Sequence, residues 1–120
     1  MKIENIKFKA KRLDNGEWIE GEISHFENTI WIVPIDNELF SLGCAEVDPD
    51  TICMFTGLTD KNGTPIYEWD IVMHKDNNTE RIGDINWDSK TAAFCFGCDF
   101  LCNFPSENMV VIGNKFDKKK

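Results

Sequence analysis

The stretch TGLTDKNGTPIYEWDIVM at residues 56–73 constrains the fold more than any other part of the sequence. Two apolar runs flank DKNG at 60–63, which suits a turn because Asn and Gly tolerate positive φ and an Asp side chain accepts nearby backbone N–H groups. Pro65 stands just before the second run, where its missing N–H does least harm to a strand. The stretch therefore predicts a tight turn followed by a returning apolar strand at 66–73.

The Asn15-Gly16 dipeptide predicts a β-hairpin over residues 6–25, because this pair suits a two-residue type I′ turn. Such a turn fixes a register with opposite charges on one face and apolar pairs on the other. A glycine at position 21 leaves room for another backbone to approach. The predicted facing pairs are Leu13–Trp18, Lys11–Glu20, Lys9–Glu22, Ala10–Gly21, Phe8–Ile23 and Ile6–His25.

Short apolar and β-branched runs separated by turn residues predict an all-β chain with little helix. We expect one domain with two sub-lobes: an N-terminal β-meander at 1–59 and a C-terminal SH3-like small barrel at 64–114, with the turn at 60–63 between them. A basic tail at 115–120 follows. The further predicted strands are 29–33, 38–42, 51–56, 70–74, 81–87, 91–96 and 109–113, with a turn at 48–50 and one short helical turn at 105–107.

The net charge of −8 and the pI near 4.7 argue against binding to nucleic-acid backbone, which needs a basic footprint. The same charge allows a basic protein partner, or serves solubility alone. No apolar run is long enough to span a bilayer, so we expect no membrane partner. The N-terminus alternates charged and apolar residues and lacks the apolar core of a signal peptide, which predicts a cytoplasmic protein.

Three cysteines, Cys95, Cys98 and Cys102, have the C-x2-C-x3-C spacing of metal ligands. The second C-x2-C half of a zinc ribbon is missing, and a free cysteine commonly behaves as a small buried hydrophobe. We therefore expect no metal and no other cofactor. We also expect no disulfides, because the cytosol keeps thiols reduced. Candidates for a fourth metal ligand are His74, Cys53 and Cys44.

No recognisable catalytic group emerges from the remaining polar residues. Neither His25 nor His74 stands in a nucleophile motif. Pairs of carboxylates lie at turns or on solvent faces, where they cap and solubilise. Asp70 differs, because it begins a strand beside aromatic residues, and we expect its carboxylate to accept N–H groups from the preceding turn. The acidic pairs are Asp48 with Asp50, Asp84 with Asp88, and Asp14 with Glu17.

Aromatic residues are numerous for this length, and most should lie in the core or in an oligomer interface. A platform that stacks single-stranded nucleic acid would interleave them with basic residues, whereas residues 67–70 are acidic. We therefore expect no nucleic-acid partner. The aromatic residues concerned are Trp18, Trp31, Trp69, Trp87 and Tyr67.

The stretch TGLTDKNGTPIYEWDIV resembles the signature of the YopX family, small proteins of bacteriophages and prophages. FKAKRLDNGEW at 8–18, VDPDT at 47–51 and VIGN at 111–114 fit the same family in the same order. Trp69 stands where the family usually has Gly. A Gly at this step suggests a tight bend or bulge, so the local backbone is expected to differ in this chain. The motif residues for which we expect a structural role are Thr56, Gly57, Leu58, Asp60, Asn62, Gly63, Ile66, Tyr67, Glu68, Asp70, Ile71 and Val72.

The resemblance implies a phage origin, a β-rich fold and self-association, and it brings no assigned activity. The sequence thus favours a non-enzymatic phage or prophage accessory protein, a homo-oligomer that binds a protein partner. One alternative is an acidic decoy that presents carboxylates to a host nucleic-acid-binding protein in place of phosphates. A third possibility is an uncharacterised enzyme.

Overall fold

A computed structural model describes residues 2–34, 43–77 and 79–117. These residues form short antiparallel strands and four 3₁₀ turns, so the predicted mostly-β fold is confirmed. The predicted strand at 38–42 lies outside the described residues. In the described ranges, no helix has the length and apolar character needed to cross a membrane. The 3₁₀ turns are Ile3–Asn5, Pro49–Thr51, Leu101–Asn103 and Ser106–Asn108.

The chain divides into two compact units, Met1–Phe55 and Thr56–Lys120. In the first unit the strands neighbour one another in the order β4-β3-β2-β1-β5, which is a meander followed by a strand beside β1. Among the described residues, its buried apolar cluster includes Ala10, Ile32 and Val47. The strands are β1 Phe8–Lys11, β2 Trp18–Phe26, β3 Thr29–Val33, β4 Ala45–Glu46 and β5 Cys53–Thr59.

The hairpin of β1 and β2 forms, but the predicted register is wrong. Lys11 lies opposite Trp18, and Lys9 lies opposite Glu20, which shifts the pairing by two residues from the prediction. Because the shift is even, each side chain keeps its face of the sheet. The pairs that do not form are Leu13–Trp18, Lys11–Glu20, Lys9–Glu22, Ala10–Gly21, Phe8–Ile23 and Ile6–His25; His25 instead faces Ile30 on β3.

The register shifts because the connecting loop is longer than two residues. Arg12 N–H donates to the Glu17 carbonyl, and Gly16 N–H donates to the Arg12 carbonyl, so residues 13–16 all lie in the loop. Gly16 has a φ of 73°, whereas Asn15 does not have a positive φ. A type I′ turn needs positive φ at both residues, so this pair forms a different turn.

Gly21 does receive another backbone, as its missing side chain predicted. A Cβ atom built at this position would lie 2.1 Å from the Val33 carbonyl oxygen and 2.9 Å from the Pro34 Cα atom. Real Cβ atoms do not approach backbone so closely. Position 21 therefore requires glycine for its lack of a side chain.

The second unit contains a five-stranded antiparallel sheet in the order β10-β9-β8-β7-β11. The later part of β5 and β6 neighbour each other, and the Thr56 hydroxyl donates to the Ile66 carbonyl 2.7 Å away. The SH3-like barrel detail is not confirmed. The strands are β6 Pro65–Tyr67, β7 Asp70–Asp76, β8 Thr79–Asp88, β9 Ala93–Phe96, β10 Asp99–Phe100 and β11 Met109–Asn114. Its buried core is Ile66, Val72, Ile85, Phe96, Leu101 and Met109.

Two strand predictions need correction. The strand predicted at 66–73 is interrupted at Glu68 and Trp69, which form a turn between β6 and β7. The strand predicted at 51–56 begins at Cys53 and ends at Thr59, because Thr51 belongs to the 3₁₀ turn Pro49–Thr51. Asp48 caps that turn by accepting the Asp50 N–H at 3.0 Å, an arrangement that its Asp-Pro sequence favours.

Candidate functional site

Asp60 connects the turn of the motif to the last strand of the second unit. Its Oδ1 accepts the N–H groups of Asn62 at 2.8 Å and Thr64 at 2.9 Å, which closes the turn. Its Oδ2 accepts the Val111 N–H at 2.9 Å. Lys61 adds a backbone bond to the Met109 carbonyl. One carboxylate thus fixes the turn and holds β11 against it.

The hydrogen bonds of Asp60 stabilise its ionised form. Burial by itself would raise the pKa of this carboxyl. The three backbone N–H donors outweigh burial, and the positive charge of Lys61 adds to them, so the pKa is lowered from its ordinary value. Asp60 is therefore a charged framework group at neutral pH.

Stability should depend on the charge of Asp60. Because its pKa is lower in the folded state, the carboxylate stabilises the fold above the unfolded-state pKa of about 3.9, and this contribution is lost as the pH falls through the folded-state pKa. We expect Asp60→Asn to lower the free energy of unfolding by about 1–3 kcal/mol at pH 6 and by less at pH 3. Urea unfolding at both pH values measures this difference. Asp76→Asn, at an exposed site, is the control, and an equal loss at both pH values would contradict the assignment.

Asp70 is fully buried at the start of β7. Its Oδ2 accepts the Tyr67 N–H at 2.8 Å. The sequence predicted a donor in the preceding turn, whereas Tyr67 is the last residue of β6, just before the turn at Glu68 and Trp69. Asp70 Oδ1 accepts the side-chain amide of Asn114 at 2.9 Å. Both carboxylate oxygens therefore already accept hydrogen bonds from groups within the protein. This leaves the carboxylate badly placed to act on a substrate.

Asn114 is a framework residue that the sequence analysis missed. It lies at the end of β11, 44 residues from Asp70 in the chain. Its N–H donates to Asp117 Oδ2 at 2.9 Å, and its Oδ1 accepts the Phe116 N–H at 2.8 Å. The VIGN segment at 111–114 was a signal for this role, but its pairing with Asp70 depends on the tertiary fold.

The other motif residues shape the backbone or fill the core. Gly57 and Gly63 have φ values of 89° and 82°, and the Thr56 hydroxyl also accepts the Leu58 N–H. Within the motif, Ile66, Tyr67 and Val72 are buried, Leu58, Glu68 and Ile71 are half-buried, and Asn62 is exposed.

Trp69 adopts the left-handed conformation that favours glycine, with a φ of 68°. The bend suggested by the family's glycine is therefore present, although a tryptophan forms it. Lys115 Nζ lies 4.2 Å from the centroid of the Trp69 ring. Such a contact contributes about 0.5–1 kcal/mol at an exposed site, whereas left-handed backbone costs an ordinary residue about 1–2 kcal/mol. The ring contact, together with the partial burial of the indole, therefore offsets backbone strain at this position.

A buried histidine lies in an aromatic cluster on the sheet of the second unit. The His74 ring packs edge-on against Phe104, with centroids 5.2 Å apart, and Arg81 lies 5.0 Å from the same phenyl ring. Arg81 donates to Asp99 Oδ2 at 2.7 Å and to the Phe96 carbonyl at 3.0 Å. His74 Nε2 is buried without a hydrogen-bond partner in the described part of the chain. The arrangement is that of a packed core, and the sequence contained no local signal for it.

The three candidate metal ligands differ in exposure. Cys95 is buried, whereas Cys98 and Cys102 are exposed. Burial raises the pKa of the Cys95 thiol, and the nearby negative groups of Asp88 and Asp99 raise it further. A raised pKa disfavours the thiolate that binds metals. Within the residues that the structure describes, no three His, Cys, Asp or Glu side chains are placed to hold a metal ion.

We expect the purified protein to carry no stoichiometric zinc, because burial raises the pKa of the Cys95 thiol and the spacing lacks a fourth ligand. Elemental analysis of protein purified without chelator measures the zinc content, and thermal unfolding with and without chelator is the control. One zinc per chain, lost together with the fold on chelation, would refute this expectation.

The remaining sequence candidates stay apart from any common site. His25 is exposed on β2, and the carboxylate of Asp14 pairs with Arg12 at 2.7 Å within its loop. Thr91 donates its hydroxyl to Asp88 at 2.9 Å, so this carboxylate closes the turn between β8 and β9. Among the aromatic residues, Tyr67 is buried, Trp18, Trp31 and Trp69 are half-buried, and Trp87 is 42% exposed.

The motif residues thus build one framework in the second unit, around Asp60, Asp70 and Asn114. No curated protein matches the chain, and no solved structure matches it either. The family model described as YopX protein matches residues 5–119. That match spans nearly all of the 120 residues, and the chain therefore belongs to the YopX protein family.

Proposed function

We propose that this chain is a non-enzymatic accessory protein of a phage or prophage, which self-associates and binds a protein partner in the cytoplasm of the bacterial host. Membership in the YopX family supports the phage setting. The occupied oxygens of Asp60 and Asp70 support a non-enzymatic role, because a catalytic carboxylate must reach a substrate proton or atom.

The observation that carries the self-association proposal is an apolar groove on the N-terminal hairpin of the first unit. The groove has a volume of about 300 Å³. Ile3 is 75% exposed and Ile6 is 47% exposed, and both line it. Contiguous exposed apolar surface of this kind is typical of an interaction site. The other lining residues are Phe8, Glu22 and Ile23.

A charge placed in this groove should weaken self-association. We expect wild-type protein to be an oligomer at micromolar concentration and Ile6→Lys to have a lower mass, because burying an unpaired ammonium opposes apolar contact. Light scattering gives both masses. Ile82→Lys is the matched control, since it adds the same charge at a position on β8 that is 59% exposed. Equal masses for wild type and Ile6→Lys would place the contact elsewhere.

The acidic decoy has less support. It requires carboxylates in phosphate-like rows on one face. Among the described strands, only β2 places two carboxylates at successive positions on one face, namely Glu20 and Glu22. Lys9 lies opposite Glu20 on the neighbouring strand, where its ammonium reduces the local negative charge.

A further inference from the structure

The turn between β6 and β7 presents an aromatic ring at its strained residue. Trp69 is half-buried, and its backbone groups pair with the Ile85 carbonyl and the Lys115 N–H. These backbone bonds would form with any residue at position 69, so they do not explain why a large ring stands there. Strained backbone positions cluster at binding and switch sites, and Trp69 is such a position. The indole ring, and not the backbone hydrogen bonds, is therefore the feature that a binding role would explain.

The ring already attracts a cation. Lys115 Nζ lies 4.2 Å from the centroid of Trp69 and 5.6 Å from the centroid of Phe116. Two aromatic rings around one ammonium group form the arrangement that binds cationic ligands through cation–π attraction. Lys115 is an exposed residue on a flexible stem, so an ammonium group from elsewhere could replace it.

We propose that Trp69 and Phe116 form a binding site for a lysine side chain of a basic protein partner, and that Lys115 occupies this site in the free protein. The net charge of −8 favours the approach of such a partner. This inference rests on the proposed partner binding and names the chemistry of the partner. It does not depend on self-association, which the groove variants test separately.

The test is an NMR titration of the full chain with the probe peptide acetyl-Gly-Lys-Gly-amide. The backbone amides of residues 114–116 and the Trp69 indole N–H report on the site. We expect saturable shifts with this peptide and none with its Nε-acetyl-lysine counterpart, because acetylation removes the charge. Lys115→Ala should bind the peptide about 2- to 5-fold more tightly, since it removes the internal competitor.

Trp69→Gly should abolish the shifts at residues 114–116, and glycine suits the backbone at this position, so the fold should persist. Trp69→Asn provides a second variant without the indole, because asparagine also tolerates positive φ. Lys11→Ala is the matched control, because Lys11 Nζ lies 5.4 Å from the Trp18 ring, and it should leave the affinity unchanged.

Three results would overturn the proposal. The first is that the acetylated peptide binds as tightly as the unmodified peptide. The second is that the Trp69→Gly variant binds the unmodified peptide as tightly as the wild-type protein does. The third is tighter binding after removal of residues 118–120 but not after Lys115→Ala, which would assign the site to the chain's own basic tail.

Discussion

Replacing Asp70 with alanine is expected to lower the free energy of unfolding of the second unit by about 3–5 kcal/mol. The substitution leaves the Tyr67 N–H and the Asn114 side-chain amide buried without their acceptor, and each loss carries its own desolvation penalty. It also leaves a cavity, because Asp70 is 0% exposed. Few single substitutions in this chain should have a larger effect.

Urea unfolding followed through the amide signals of the second unit measures this loss. Asp70→Asn should fall between alanine and wild type, because an amide oxygen accepts one bond but its NH₂ group cannot replace the second acceptor. Asp76→Ala, at the exposed end of the same strand, is the control and should change little. A loss below about 1 kcal/mol for Asp70→Ala would show that the framework does not depend on this carboxylate.

Gly21→Ala is expected to destabilise the first unit by about 3 kcal/mol or more, through a clash with backbone. The new methyl carbon would lie 2.1 Å from the Val33 carbonyl oxygen. This oxygen belongs to the backbone of the β2–β3 ladder, so it cannot rotate away as a side chain could. Relief requires the two strands to separate, which breaks ladder hydrogen bonds. We therefore expect the amides of β2 and β3 to lose protection from hydrogen exchange.

Gly113→Ala is the matched control for this substitution. A Cβ atom at position 113 meets only Asp117 Oδ2 at 3.6 Å, an ordinary contact. Denaturant unfolding should therefore show a small change for Gly113→Ala and a large one for Gly21→Ala. Equal effects would mean that the loss at position 21 reflects glycine flexibility and not the approach of Val33.

Local patterns predicted those elements whose causes are local. The strand Thr29–Val33 and its boundaries follow from β-branched residues and the proline after them. The hairpin register failed because it depends on a distant segment: Leu13 N–H donates to the Glu46 carbonyl at 3.0 Å, which draws Leu13 away from Trp18. No pattern within residues 6–25 contains that information.

The same distinction holds for the framework of the second unit. The bond from the Tyr67 N–H to Asp70 spans only three residues, and the expected acceptor role of Asp70 rests on a local hydrogen-bonding preference of aspartate. The bonds that join Asp70 to Asn114 and Asp60 to Val111 span 44 and 51 residues, and they exist only once the sheet has formed. The packing of His74 could not be predicted from the sequence for the same reason, because its ring contacts Phe104, which is distant in the chain.

The central proposal is that this YopX-family chain acts by self-association and partner binding. Light scattering of wild-type protein at micromolar concentration, in about 0.05 M and about 0.5 M sodium chloride, tests the first half directly. Subunits with a net charge of −8 repel one another, and salt screens that repulsion, so an oligomer held by apolar contacts should persist or tighten as salt rises. We expect a mass of at least two chains at the higher salt. A monomer mass at both salt concentrations would contradict the proposal.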